Sequence, residues 1–184
     1  AADLEQEAEL RGAADQVRGA FGRLDILVNC AAFVGTSGLG GWSVPFAQQT
    51  TATWRRAMEV NLTAAFVLAQ ACAPALAASG HGTIINVSSI YGAVGPDMRL
   101  YEGTAMGNPA AYAASKGGLL QLTRWLATVL APKVRVNAIS PGGVRRGQPE
   151  EFVRAYESRV PLGRMAVEED FKGAFAYLAG DLSA

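Results

Sequence analysis

Apolar residues fall into two alternating kinds of run along the chain. Residues 24–29, 82–88 and 134–139 are short blocks rich in Ile, Val and Leu, bounded by Gly, Asn or Ser, and they have the length and composition of strands. Between and after them, apolar positions recur at helical spacing. From about 5 to 21 they are Leu10, Ala13 or Ala14, Val17 and Phe21, with Glu5, Glu7 and Glu9 crowding the first turns, where the helix dipole favours anions. Residues 51–79 form a long segment rich in Ala, with Met58, Val60, Leu62, Phe66 and Leu68. A third helix, from Pro109 to about 131, carries Leu119, Leu122, Trp125, Leu126, Val129 and Leu130. Gly22 and Pro132 supply stops, Pro109 fits a first helical turn, and two shorter helices are expected over about 149–158 and 167–180.

Strand blocks alternating with helices predict an α/β chain: a parallel sheet of buried strands with helices on both faces. Ligands of such sheets bind beyond the carboxyl ends of the strands. Asn29, the pair Ser88 and Ser89, and Pro141 with Gly142 all fall at those ends.

Two loops interrupt the alternation. Residues 33–46 are Gly-rich, but Gly35 and Gly40 at P-loop spacing have Gly41 where the lysine belongs, and Gly38 and Gly40 have Ser43 where a third dinucleotide glycine belongs. A flexible loop at the mouth of a site is the expectation. Residues 90–108 show neither period and are long for a connection inside a compact domain. Asp97, Arg99 and Glu102 in that loop either read polar groups of a substrate or solvate an excursion.

Composition narrows the chemistry. The 184 residues are half hydrophobic, carry zero formal net charge and have no long charge run, which gives no basic footprint for nucleic acid and no cationic face for a membrane surface. Apolar runs are broken by Asn, Gln, Thr or Gly before a spanning length of about 20 residues, no signal peptide opens the chain, and a cytoplasmic location is expected. Cys30 and Cys72 are far apart and outside any C-x-x-C pair, so both are expected reduced and buried. His81, the single histidine, lies between two glycines in a turn, a poor place for a Ser-His pair or a metal site, and no metal is expected. Acid/base chemistry must then come from Tyr, Lys or carboxylates. Asn61, set in an apolar stretch, either satisfies a buried backbone group or belongs to a site.

Tyr112 and Lys116 stand one turn apart on one helix face. A fixed cation beside a phenol favours the phenolate and makes a proton-transfer device, although this spacing is also common on solvated faces.

Asn29 with Cys30, Ala31 and Ala32, then Asn61, Ser88 and Ser89 within 85–92, Tyr112 with Lys116, and Ser140, Pro141 and Gly142 resemble, in order and spacing, the short-chain dehydrogenase/reductase family over essentially the whole chain. The resemblance implies a Rossmann-like doubly wound parallel sheet in a single domain, without a separate substrate domain. It also implies an oxidoreductase that moves hydride between NAD or NADP and a hydroxyl or ketone of a polar small molecule, with a sugar derivative as one candidate. Tyr112 is then the acid/base, Lys116 lowers its pKa and holds the nicotinamide ribose, Ser89 binds the substrate oxygen, and Asn61 links Lys116 to a proton exit. Asp3, Leu4, Asn29, Ala31, Tyr112, Lys116, Pro141, Gly142 and Val144 are the implied cofactor contacts. Helices 51–79 and 110–131 are the implied surfaces of a homodimer or homotetramer. The alternative is a catalytically silent family-fold module for cofactor binding or assembly.

The pattern departs from the family in four ways. The family's first strand, Gly-rich pyrophosphate turn and NAD/NADP-selecting residue would precede Asp3, and its last strand would follow Ala184, so the chain is expected to be a piece of a longer protein, incomplete at both ends. Ser89 to Tyr112 is about ten residues longer than usual, and Arg146 stands where a threonine is usual, either to meet a phosphate or to face solvent.

Overall fold

The computed structural model describes residues 1–34 and 39–183. The readings weighed on Gly35 and Gly38 lie outside those residues. The described chain runs α1 (Glu7–Phe21), β1 (Ile26–Asn29), α2 (Thr51–Met58), α3 (Ala64–Ser79), β2 (Gly82–Val87), α4 (Ala110–Leu130), β3 (Val134–Ile139), α5 (Glu150–Glu157) and α6 (Glu169–Ala179). The strands form one parallel sheet in the order β1-β2-β3, with Leu27 paired to Ile84 and Ile84 to Val136.

Pleating sends alternate side chains to opposite faces. Leu27, Ile84 and Val136 share one face with Ala14 of α1, Ala69, Cys72 and Leu76 of α3, and Leu126 of α4, which together make the main core. The other face meets α6. Thr83 Oγ1 donates to the Leu178 carbonyl at 3.4 Å, and the Arg135 guanidinium donates to the carbonyls of Leu178 and Gly180, each at 3.2 Å. A cation on the last carbonyls of a helix suits its dipole, so Arg135 fastens the end of α6 to the sheet.

Several expectations need correction. β1 is parallel but not buried: it is one of the two edge strands among the described residues, and Ile26 and Val28 on the α6 face are each 42% exposed. Val17 and Phe21 are exposed as well, because α1 turns only Leu10 and Ala14 inward. Trp125 and Val129 of α4 also face outward. Cys72 is buried but Cys30 is exposed.

The helical segment over 51–79 is continuous but not uniform. Thr50 caps it, accepting from the Thr53 N–H, and a π-helical turn at Glu59–Thr63 interrupts the α geometry around Asn61. Contrary to the expectation that every apolar run breaks early, Thr51–Ser79 is long and apolar enough, by length and composition, to cross a membrane. One of its sides nevertheless packs on the sheet and α1 through Ala64, Val67, Ala69, Cys72 and Leu76. The described part of the Gly-rich loop is pinned, since Trp42 is 2% exposed, packs with Ala57 and Ala111, and donates its indole N–H to the Val34 carbonyl at 2.8 Å.

Candidate active site at the carboxyl ends of the strands

β2 ends at Val87, and the chain passes through Ser88 and Ser89 into a 3₁₀ turn at Ile90–Gly92 that lies against the backbone of α4. Only glycine permits that approach: a Cβ on Gly92 would sit 2.7 Å from the Lys116 carbonyl and 2.9 Å from Ser88 Oγ. Ser88 Oγ donates to the Lys116 carbonyl at 2.9 Å, and Lys116 Nζ donates to the Val87 carbonyl at 2.7 Å. Both ends of Lys116 are therefore fastened to the end of β2.

Tyr112, one turn earlier on α4, comes to the same place. Ser89 stands close enough to Tyr112 for its hydroxyl to influence the phenol, and Lys116 Nζ lies 5.9 Å from the Tyr112 ring centroid. Ser89 is 6% and Lys116 2% exposed. The electrostatics differ from the sequence expectation. Burial pushes the Tyr112 phenol above its ordinary value, the neighbouring Ser89 hydroxyl opposes this, and Tyr101 adds to the rise. The Lys116 ammonium, bonded to the Val87 carbonyl, does not offset the effect of burial on Tyr112. Instead, burial lowers Lys116 itself, from 10.5 to about 8, with Cys30 acting in the opposite sense.

Asn61 is 2% exposed, and its side chain is fully used. Its Oδ1 accepts from the Phe33 N–H at 2.6 Å, and its Nδ2 donates to the Phe33 carbonyl at 3.3 Å and to Ser115 Oγ at 3.0 Å. Asn61 thus joins the loop after β1 to α4, one residue before Lys116. The π turn is the backbone feature that carries it, and such turns concentrate at functional sites.

The expected cofactor contacts divide. The Asn29 amide is committed to the sheet, donating to Asn86 Oδ1 at 2.8 Å, and Asn86 in turn donates to Thr123 Oγ1 at 2.9 Å. Ala31 is exposed in the loop just after β1. Asp3 caps a local turn by accepting from the Glu5 N–H at 2.9 Å, while Leu4 packs against Leu10, Ala64 and Val67. Pro141 follows β3 and its carbonyl accepts from the Ile90 N–H at 3.0 Å, which brings the proline-glycine loop beside the serine turn. Val144 bridges to Ala166. Arg146 pairs with Glu168 at 3.0 Å, both exposed. In the long loop, Asp97 is engaged by Arg99 at 2.8 Å and by Arg159 at 3.4 Å, so its carboxylate is already spoken for.

Sequence reasoning missed Tyr156. It projects from α5 beneath the loop after β3 and accepts from the Gly143 N–H at 2.6 Å. A Cβ at Gly142 would lie 2.7 Å from the Tyr156 hydroxyl, and one at Gly143 would lie 2.8 Å from its ring. The two glycines were a legible signal that something presses on that loop, but nothing in the sequence said which residue does.

Comparison with known proteins places the chain among relatives of the same fold. The family model described as Enoyl-(Acyl carrier protein) reductase matches residues 1–184. The chain is 33% identical over 184 residues to cis-4-hydroxycyclohexanecarboxylate dehydrogenase of Sinomonas cyclohexanicum, covering 97% of this chain and 68% of that protein. It is 34% identical over 190 residues to a probable galactose dehydrogenase of Rhizobium meliloti, covering 100% of this chain and 68% of that protein. The crystal structure of a short chain dehydrogenase from Leptospira borgpetersenii with bound NAD+ superposes with a TM-score of 0.86 at 33% identity, covering 99% of this chain and 68% of that one. The chain thus spans about two thirds of the length of each.

Proposed function

The chain belongs to the short-chain dehydrogenase/reductase family, and from that premise we propose that its protein is an NAD(P)-dependent oxidoreductase acting on a hydroxyl or ketone of a polar, cyclic or sugar-like small molecule. The carrying observation is the convergence of Ser89, Tyr112 and Lys116 at the end of β2, with the buried Lys116 ammonium held by the Val87 carbonyl 5.9 Å from the Tyr112 ring. In this reading, a substrate oxygen takes its place between Ser89 and Tyr112, which makes Tyr112 the acid/base and Ser89 the group that orients the oxygen. NAD(P), when bound, supplies or accepts the hydride. The raised Tyr112 pKa keeps the phenol protonated at neutral pH, the state needed to give a proton to a ketone oxygen. The reverse direction needs alkaline pH or a closer approach of the Lys116 charge.

The residues fit a nicotinamide cofactor. Lys116 Nζ spends one of its three donors on Val87, which leaves two for a ribose. Pro141, Gly142 and Val144 would hold the nicotinamide end of the cofactor, Asn29 and Ala31 at the end of β1 would line its path, and Asp3 and Leu4 would contact the adenine. Asn61 acts through position, holding the Phe33 backbone against α4 ahead of Lys116. The described chain is read as one dinucleotide-binding and catalytic domain.

A homodimer or homotetramer through helices 51–79 and 110–131 is part of the proposal, supported by the outward-facing Phe66, Trp125 and Val129. A cytoplasmic location is supported by two unpaired cysteines, one of them exposed. The small-molecule relatives named above motivate the probes: nicotinamide absorbance is followed while the full-length protein meets hydroxycyclohexane carboxylic acids and aldoses with NAD+ or NADP+. Cofactor binding with no turnover in either direction across those classes is the result expected of a silent assembly module instead.

A further inference from the structure

The 90–108 loop is anchored to α5 rather than hanging beside it. Leu100 is 6% exposed and packs with Phe152, Val153, Tyr156 and Met165. The Tyr101 ring lies 5.5 Å from Phe152, and Asp97 reaches Arg159, just past the end of α5, at 3.4 Å. These contacts make the loop and α5 one packed body and fix where Tyr101 points.

Tyr101 donates its hydroxyl proton to Tyr91 Oη at 3.2 Å. Tyr91 stands in the turn that starts at Ser89, and its backbone N–H donates to Ser89 Oγ at 3.2 Å. Having accepted from Tyr101, the Tyr91 hydroxyl keeps its own proton, and among the described residues no acceptor takes it. This half-buried phenol with an unspent donor stands two residues from the serine proposed to meet the substrate oxygen, in a turn packed against α4 at Lys116, and its partner Tyr101 is near enough to influence Tyr112. Burial, with Tyr101, Tyr156 and Asp97 nearby, raises the Tyr91 pKa, so the group remains a donor. The same electron-rich surroundings disfavour an anion there and favour a neutral acceptor.

We propose that the Tyr101–Tyr91 hydroxyl pair is a specificity subsite in which Tyr91 donates to a neutral hydroxyl on the ring carbon next to the reacting one. This deepens the functional reading above and rests on it. The substrate class it selects is a cyclic vicinal diol, or the corresponding hydroxyketone. Tyr101 orders the Tyr91 rotor and polarises it, since hydrogen bonds in a chain strengthen one another.

The probes are cis-cyclohexane-1,2-diol and cyclohexanol with the full-length protein and its cofactor, and the readout is the ratio of their kcat/KM values. The wild type is expected to favour the diol by about tenfold, the effect of one well-placed hydrogen bond. Tyr91→Phe is expected to bring the ratio near one, mainly through the KM of the diol, and Tyr101→Phe to lower it about two- to threefold. NADH binding by fluorescence reports that each variant is folded. A wild type with no preference, an unchanged ratio in Tyr91→Phe, or equal losses on both alcohols overturns the subsite while leaving the oxidoreductase reading intact. A wild type that oxidises neither alcohol, nor any other probe, removes that reading and the subsite with it.

Discussion

Lys116 Nζ donates to the Val87 carbonyl at 2.7 Å while standing 5.9 Å from the Tyr112 ring centroid, so in this arrangement the lysine charge is spent on the end of a strand. A buried cation held by one carbonyl is costly, and burial lowers its pKa from 10.5 to about 8. Below about pH 8 both folded and unfolded states carry the proton and the cost is present in full. Between about 8 and 10.5 the unfolded chain still holds a proton that the folded protein has released, so stability of the cofactor-free protein rises with pH. Tyr112 acts in the opposite sense and only higher: its raised pKa means that the unfolded chain loses the phenol proton first, and stability falls as pH climbs past about 10. The unfolding free energy of the wild type from urea titrations is expected to rise from pH 8 toward 10, by on the order of 2 kcal/mol. Lys116→Met is expected to flatten that slope.

Tyr112→Phe keeps the ring and removes the proton that the reaction moves. Turnover is expected to fall by about 10²- to 10⁴-fold, the usual contribution of a positioned acid/base. NADH affinity, measured by fluorescence, is expected to change less than about threefold. Unchanged kcat rules out the acid/base role.

Asn61→Leu leaves the Phe33 N–H and carbonyl and Ser115 Oγ without their shared partner in a buried setting. A loss of about 2–4 kcal/mol in urea unfolding is expected, more than for one exposed hydrogen bond, because several groups are left unsatisfied at once. Asn61→Asp, which keeps only the acceptor for Phe33, is expected to fall in between.

Gly142 and Tyr156 are coupled by contact. Gly142→Ala places a methyl 2.7 Å from the Tyr156 hydroxyl, so alone it is expected to displace the loop and raise the cofactor KM by about tenfold or more. In a Tyr156→Phe background the obstructing oxygen is gone, and the same substitution is expected to cost much less. Additive effects in this double-mutant cycle argue against the contact. Gly143→Ala is not expected to be rescued, because its Cβ meets the ring itself and the Met165 methyl.

Trp125 is 55% exposed on α4, and Phe66 is exposed on α3. If these faces join subunits, Trp125→Arg is expected to shift the sedimenting species toward monomer at micromolar concentration. A wild type that sediments as a monomer at every concentration rules out the assembly.

Much of the fold was legible because its signals are local. The limits of β2 and β3 were set by β-branched runs between Gly or Pro and polar residues, α4 by Pro109 and Pro132, and α1 by Gly22 in the left-handed conformation. Burial was less legible. Val17, Phe21, Ile26, Val28 and Trp125 have core-like spacing and yet face outward, because periodicity says which side is apolar but not what covers it. Order along the chain proposes the candidate site residues, and the structure brings Asn61, Ser89, Tyr112 and Lys116 to one place, but the direction of the Tyr112 shift is opposite to the one expected. Spacing places a lysine near a tyrosine, but the sign of the tyrosine shift depends on how deeply both are buried and where the ammonium bonds.

By itself the sequence determined the elements, their parallel arrangement and the placing of Asn29, Ser89 and Pro141 at strand ends, since these follow from residue type and short-range pattern. Only the tertiary structure decided that Asn61 clamps Phe33 to α4, that Tyr156 lies beneath Gly143, and that Tyr101 reaches back to Tyr91. Each of these joins residues on separate elements, and their pairing is set by how helices and loops pack on the sheet, which no local pattern encodes.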